Sequence, residues 1–181
     1  MSDIYKKFEA YLEPGDRVLD LGCGSGRDSK YFLDQGYAVV ALDPSIKMCE
    51  ATAQLTSLKP LNITAQEMDF KDEFQGIWAC ASLLHISEVE LDEVLIRIVR
   101  SLKTNGIMYA SWKLGNGYRY CDGKEYYDMN EDAILLTMKR HATLNIIECW
   151  RSDDLKEKMD PERWLNIIIK KCNCSEPMSL S

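Results

Sequence analysis

Apolar and polar positions along this chain switch between a period near 3.6 and short continuous runs, which predicts helices and strands in turn. Residues 2–12 place Ile4, Tyr5, Phe8, Tyr11 and Leu12 at helical spacing among Asp3, Lys6, Lys7 and Glu9, and Pro14-Gly15 ends the pattern. This predicts an amphipathic N-terminal helix, either packed on the sheet or serving as a lid. A Val- and Leu-rich strand over 17–21 then runs into glycines at alternate positions, Gly22, Gly24 and Gly26. A short helix is expected from Arg27 to Gln35, with Gly36 as its C-cap. The run 37–42 predicts a second strand ending at Asp43, after which Pro44 and Ser45 open a helix over 46–57 with Ser45 as N-cap. Asn62 to Gln66 reads as a weaker third strand ending near Met68-Asp69-Phe70.

The segment from Gly76 to Leu84 is continuously apolar, as expected of a central strand buried on both faces, and ends at His85. Ser87 and Glu90 form a capping box for a helix carrying Leu91, Val94, Leu95, Ile98 and Leu102, closed by Asn105-Gly106. A fifth strand over 107–113 leads to a Gly-, Tyr- and Asp-rich stretch, 115–128, which lacks periodicity and reads as a loop. A helix near 130–142, a strand near 144–150, a polar link containing Asp153 and Asp154, and a strand from Trp164 to Lys170 complete the pattern. The expected fold is α/β: a Rossmann-like, seven-stranded, mostly parallel sheet with helices on both faces and an antiparallel last strand. One domain spans 1–181, with a flexible tail from Cys172.

Composition narrows the class without naming a function. Apolar residues make up 46% and charged residues 28%, which is ordinary for a globular protein, and no run is long enough to span a membrane. Seven cysteines without CxxC pairs suggest reduced thiols, and Met1-Ser2-Asp3 opens no secretory pattern, so a cytoplasmic location is expected. A net charge of −7 disfavours nucleic acid as partner. Cys172 and Cys174 with His85 and His141 lack zinc spacing, and no metal is expected.

In a doubly wound sheet, ligands bind outside the carboxyl ends of the strands. The glycine loop, Asp43, Asp69, His85 and Lys113 each fall at or just past the end of a successive predicted strand. Asp43, 17 residues beyond Gly26, is placed to accept both hydroxyls of a ribose. The dinucleotide fingerprint needs glycine where this chain has Arg27, so the GxGxG spacing calls for a different adenosine-bearing ligand.

Val18 to Gly26 resembles motif I of class I S-adenosylmethionine-dependent methyltransferases, and the resemblance extends over about residues 15–115. Gly26-Arg27-Asp28 and Trp164-Leu165-Asn166-Ile167-Ile168 are similar to the small tellurite-resistance and thiopurine methyltransferases. The resemblance implies S-adenosylmethionine as cofactor, with Asp20 and the loop glycines at its methionine end and Asp43 on the ribose. Asp69 with the Met68 backbone is then expected at the adenine, and Ser82 is counted in the same site. A methyl on sulfonium is already activated, so positioning and exclusion of water do most of the work. His85 is the candidate base for an oxygen or protonated-nitrogen acceptor. Lys113, Trp112 and Tyr127 are the candidate acceptor contacts. The expected partner is a small-molecule acceptor, with a monomer or homodimer as the assembly. RNA or protein methylation and non-catalytic cofactor binding are the alternatives.

Overall fold

The computed structural model describes residues 1–121, 123–153 and 163–172. The chain runs α1 (Ser2–Glu9), β1 (Arg17–Leu21), α2 (Arg27–Asp34), β2 (Ala38–Leu42), α3 (Ile46–Thr56), β3 (Phe74–Ala79), α4 (Glu88–Ser101) and β4 (Leu102–Lys113). It continues through β5 (Gly117–Cys121), β6 (Lys124–Asp128), α5 (Glu131–Lys139), β7 (Leu144–Asp153) and β8 (Arg163–Lys171). The main sheet has the order β2-β1-β3-β4-β8-β7, and β5 with β6 forms a separate two-stranded sheet. The pairs β1–β2, β1–β3 and β3–β4 are parallel, whereas β8 is antiparallel to both of its neighbours.

Strand alternation divides the core in two. Leu19, Ile77, Met108, Trp112 and Ile167 pack against Leu91, Val94 and Ile98 of α4 and Ile134 of α5. On the other face Val18, Trp78, Tyr109 and Ile168 meet Tyr5 and Phe8 of α1 and Phe32 of α2. That second layer is aromatic: Trp78 lies 5.1 Å from Tyr5 and 4.2 Å from Tyr109, both stacked. Such pairs contribute about 0.5–1.5 kcal/mol each beyond the area they bury. Helix α1 is therefore a packing element whose apolar face is held by the sheet. Residues 173–181, including Cys174, and Asp154 lie outside the described residues.

Two expectations about strands change. The third strand expected over 62–66 is absent, and the main sheet has six strands. Leu61 makes only an isolated bridge to Leu42, Asn62 turns its amide onto the carbonyls of Asp43 and Pro44, and a Thr64–Glu67 capping box coils 65–67 into a 3-10 turn. Side chains that satisfy the backbone locally compete with ladder formation here. Conversely, 115–128 is a β-hairpin in which Gly117 pairs with Asp128 and Cys121 with Lys124. The Asp122-Gly123 dipeptide was its sequence signal.

Element ends also shift. The central strand stops at Ala79, and Leu83–His85 forms a 3-10 turn. Helix α1 ends at Glu9, before Pro14-Gly15. Helix α4 ends at Ser101, and Asn105, at a φ of 64°, sits in an irregularity at the start of β4 rather than closing the helix. Ser45 occupies the N-cap position of α3 without a side-chain cap bond; Asp43 Oδ1 accepts from the Ser45 N–H instead.

Candidate cofactor cleft and acceptor side

Where β1 leaves the sheet, the chain must turn sharply between β2, β3 and α3. Gly22 has φ 78°, and a Cβ there would fall 2.3 Å from Ser82 Oγ. Gly26 has φ 87°, and its Cβ would meet the Thr52 backbone at 2.9 Å. Glycine is required at both positions by conformation and by close approach. Gly24 differs, because a Cβ built on it meets no atom within 4 Å. Its bare backbone faces a cleft of about 280 Å³ lined by Gly22, Cys23, Gly24, Ser25, Arg27, Asp28, Cys80 and Ala81.

The polar groups around this cleft are fixed by the fold. Asp43 Oδ2 accepts from the Gly24 N–H at 3.0 Å, and Oδ1 accepts from the Ser45 N–H at 2.8 Å. A carboxylate offers about four acceptor sites, so Asp43 braces the loop through two of them and retains further acceptor capacity. Asp20, at 2% exposure, accepts from Ser29 Oγ at 2.5 Å, and burial pushes its pKa up to about 7 against the opposing Ser29 bond. Burial likewise raises the thiols of Cys23 and Cys80 to about 12, so neither is a thiolate nucleophile at neutral pH.

The structure gathers Asp20, Gly22, Gly24, Gly26, Asp43 and Ser82 around the loop, but it does not bring Met68 and Asp69 there. The segment 66–69 descends along α4, with Gln66 bonded to Glu90, the Met68 carbonyl to Arg97 at 2.7 Å, and Asp69 to Arg100 at 2.5 Å. Helix α4 begins just after the carboxyl end of β3 and closes at the amino end of β4. Asp69 is thus at the sheet edge opposite the loop, exposed and ion-paired. The expected adenine contacts at Met68 and Asp69 are corrected on this ground. The sequence showed an acidic residue after a predicted strand; without that strand the chain is displaced toward the far end of α4.

On the hairpin side, His85 is exposed, and its Nδ1 lies 2.9 Å from the Glu125 carbonyl of β6. A carbonyl only accepts, so in the neutral ring Nδ1 carries the proton and Nε2 carries the lone pair. The ring also packs 4.9 Å from Tyr126, over which the Arg119 guanidinium sits at 4.3 Å. Tyr126, not Tyr127, shares a face with His85; Tyr127 is on the opposite hairpin face, 5.5 Å from Tyr118. Trp112 is fully buried in the α4–α5 layer, with Nε1 unpartnered, and is a core residue rather than an acceptor contact. Lys113 covers the Trp164 ring at 4.0 Å.

Three contributors were not anticipated. Asp28 is a buried carboxylate joining α1, α2 and β3. Ala81 lines the cleft at a φ of 52°, which is costly for a residue with a Cβ, and its N–H donates to Ser111 Oγ at 2.9 Å. Ile46, 56% exposed, directly follows the Asp43-Pro44-Ser45 turn. Asp28 stood in the Gly26-Arg27-Asp28 motif without its structural role being visible there, and Ile46 is marked only as an apolar residue in the exposed first turn of a helix. Among the described residues, no group of three His, Cys, Asp or Glu is arranged to hold a metal.

A mostly parallel sheet with a glycine loop and a buried carboxylate braced against it at the carboxyl edge is the architecture of an α/β protein with a ligand cleft at that edge. Comparisons with known proteins make the class specific. Residues 18–106 match the methyltransferase domain family. The Bacillus subtilis protein YqeM, named as a methyltransferase, is 28% identical over 138 residues, 70% of this chain and 55% of that protein. A ubiquinone biosynthesis O-methyltransferase of Nitrobacter winogradskyi is 33% identical over 102 residues, 54% of this chain and 38% of the relative. The chain thus spans about half the length, or less, of these relatives.

Among solved structures, a Burkholderia thailandensis 1,6-didemethyltoxoflavin N1-methyltransferase with bound 1,6-didemethyltoxoflavin and S-adenosylhomocysteine superposes with a TM-score of 0.77. It is 23% identical, and the match covers 93% of this chain and 76% of that one. A Methanosarcina mazei S-adenosylmethionine-dependent methyltransferase gives 0.78 at 16% identity, covering 93% and 98%. Residues 18–106 are thus a methyltransferase domain, set in the fold of the S-adenosylmethionine-dependent methyltransferases.

Proposed function

We propose that this chain binds S-adenosylmethionine in the cleft beside Gly24 and catalyses transfer of its methyl group to a small-molecule acceptor. The observation that carries the reading is the conjunction at one sheet edge of Gly24's open backbone and the Asp43 carboxylate locked beside it. The residues fit the group: Asp43 toward the ribose diol, Ile46 as an apolar wall for the base, and Gly22 to Gly26 allowing close approach of the amino-acid end. When bound, the cofactor supplies a methyl group already activated by its sulfonium. The chain's own task is to fix the acceptor in line and to keep water out.

His85 closes the Leu83–His85 3-10 turn, which follows Ala81 on the cleft wall. With Nδ1 committed to the Glu125 carbonyl, Nε2 is the atom that would take a proton from an oxygen or nitrogen acceptor. Lys113, at the end of β4, is the candidate cation for an anionic acceptor. The small-molecule reading draws support from the net charge of −7 and from the hairpin standing over His85, which narrows the acceptor side. The toxoflavin precursor named for the Burkholderia structure belongs to the same ligand size class. We assign the cytoplasm as its location because the six described cysteines are all free thiols; among the described residues no helix is long and apolar enough to cross a membrane.

The Arg27-Asp28 and Trp164–Ile168 motifs have structural roles here, the first at the cleft and the second in β8, where Asn166 accepts from the Tyr109 hydroxyl at 2.8 Å. The test is transfer of isotopically labelled methyl from the cofactor into size-fractionated cell extract. Label in the fraction below about 1 kDa supports the reading. Label confined to RNA or protein, or no transfer by a chain that binds the cofactor, overturns it.

A further inference from the structure

The β3–β4 ladder runs in register to the pair Ala79 and Ala110, and there β3 ends. Beyond that pair a side chain takes over from the ladder: the Ser111 hydroxyl of β4 accepts from the Ala81 N–H at 2.9 Å. The same hydroxyl donates to Cys80 Sγ at 4.0 Å. Ser111 is 1% exposed, in a stretch of β4 whose neighbours are Met108, Tyr109, Ala110 and Trp112. A hydroxyl in such surroundings is unfavourable unless it is bonded, and here both its proton and its lone pairs are used on the turn that follows β3.

The bond holds a strained residue. Ala81 is at a φ of 52°. For a residue with a Cβ, the left-handed region is disfavoured roughly 5- to 30-fold against the right-handed one. An intramolecular hydrogen bond shifts a local equilibrium by roughly 2- to 12-fold net. The two effects are of the same order, so the hydroxyl decides whether Ala81 keeps this conformation. The far end of the turn is secured separately, by Leu83 and Leu84 buried in the α4 layer. On the near side Cys80 and Ala81 line the cleft, and Ser82 packs against Gly22. Ser111 itself is not among the residues lining the cleft.

We propose that Ser111 is a positioning residue: it replaces the ladder where β3 ends, holds Ala81 left-handed, and so sets the wall that runs from the glycine loop toward His85. This rests on the cofactor reading above, but the bond acts from β4 and makes no contact with the cofactor. It also accounts for a serine in the buried part of β4.

Wild type, Ser111→Ala, Ala81→Gly and the double variant test it. Native-state amide exchange reads the joint itself. In Ser111→Ala, exchange of the Ala81 N–H should accelerate about 10-fold more than that of Ile77 and Met108, which lie within the ladder. Calorimetric titration of S-adenosylhomocysteine reads the wall. Ser111→Ala should weaken binding by about three- to tenfold, because only chains with Ala81 left-handed are competent. Glycine populates the left-handed region about as readily as the right-handed one. In the Ala81→Gly background the same Ser111→Ala change should therefore cost less than about twofold. A serine that only fills the core would lower stability alike in both backgrounds and leave affinity unchanged.

Equal weakening by Ser111→Ala in the two backgrounds, or none in either, would overturn the proposal, as would unchanged exchange at Ala81. Wild-type protein that does not bind S-adenosylhomocysteine would instead contradict the cofactor reading, and the exchange rates would still decide whether Ser111 holds the turn.

Discussion

The glycine-loop side and the hairpin side of this molecule are built by different means. Around the loop, positions are set by backbone conformation and by carboxylates with fixed backbone or buried partners: Gly22 and Gly26 at positive φ, Asp43 on two N–H groups, Asp20 on Ser29. Around His85, positions are set by side chains from separate elements resting on one another: a ring on a carbonyl of β6, Tyr126 beside it, Arg119 above, and Asp128 holding Arg119. The first construction tolerates almost no substitution and suits a ligand that never changes. The second can be rebuilt one side chain at a time.

The sharpest way to break that contrast is the same substitution on each side. Gly26→Ala meets both a positive φ and the Thr52 backbone, and is expected to cost about 2–4 kcal/mol. Gly123→Ala in the hairpin also has a positive φ, 74°, but nothing within 4 Å, and should cost only about 1 kcal/mol. Urea unfolding midpoints measure both. Comparable losses at the two sites would show that the loop is no more constrained than the hairpin.

Asp20 offers a second test, read against pH. Its pKa of about 7 in the folded chain exceeds the unfolded value of 3.8, so the folded state holds a proton that the unfolded state has released between those pH values. Stability of the ligand-free protein should therefore fall as pH rises from about 4 to 7, by a few kcal/mol at most, and then level off. Asp20→Asn keeps the bond from Ser29 and should flatten that decline, as followed by thermal melts across the range. An unchanged slope would mean that Asp20 is ionised throughout.

The smallest effect is expected from His85→Ala. It removes one exposed bond and a ring contact, so unfolding free energy should change by no more than about 1 kcal/mol, with cofactor affinity within about twofold. A large loss of cofactor affinity would place His85 in the loop's construction rather than apart from it.

The same contrast explains what could be read from the sequence. Strand, alternate glycines, helix and Asp43 are local signals, and the loop side was legible from them, as were β8's reversed direction and the amphipathic α1 and α4. Asp69 was misplaced because its position depended on a strand that Asn62 and the Thr64–Glu67 box prevent from forming. Trp112 was misread because alternation within β4 decides which layer it enters. The role of Asp28 was missed because its partners Tyr5 and Trp78 lie 23 and 50 residues away, and no local pattern announces contacts of that kind. Tyr126 and Tyr127 differ only in which hairpin face they occupy, which required recognising the hairpin first.

The central claim is that this cleft holds the adenosine cofactor through Asp43. Calorimetric titration of S-adenosylhomocysteine into wild-type protein and Asp43→Ala tests it directly. The account predicts wild-type binding and a loss of about 1.5–3 kcal/mol in the variant, roughly 10- to 150-fold in affinity. Equal affinity in the two proteins, or wild-type protein that binds NAD and not S-adenosylhomocysteine, would contradict it.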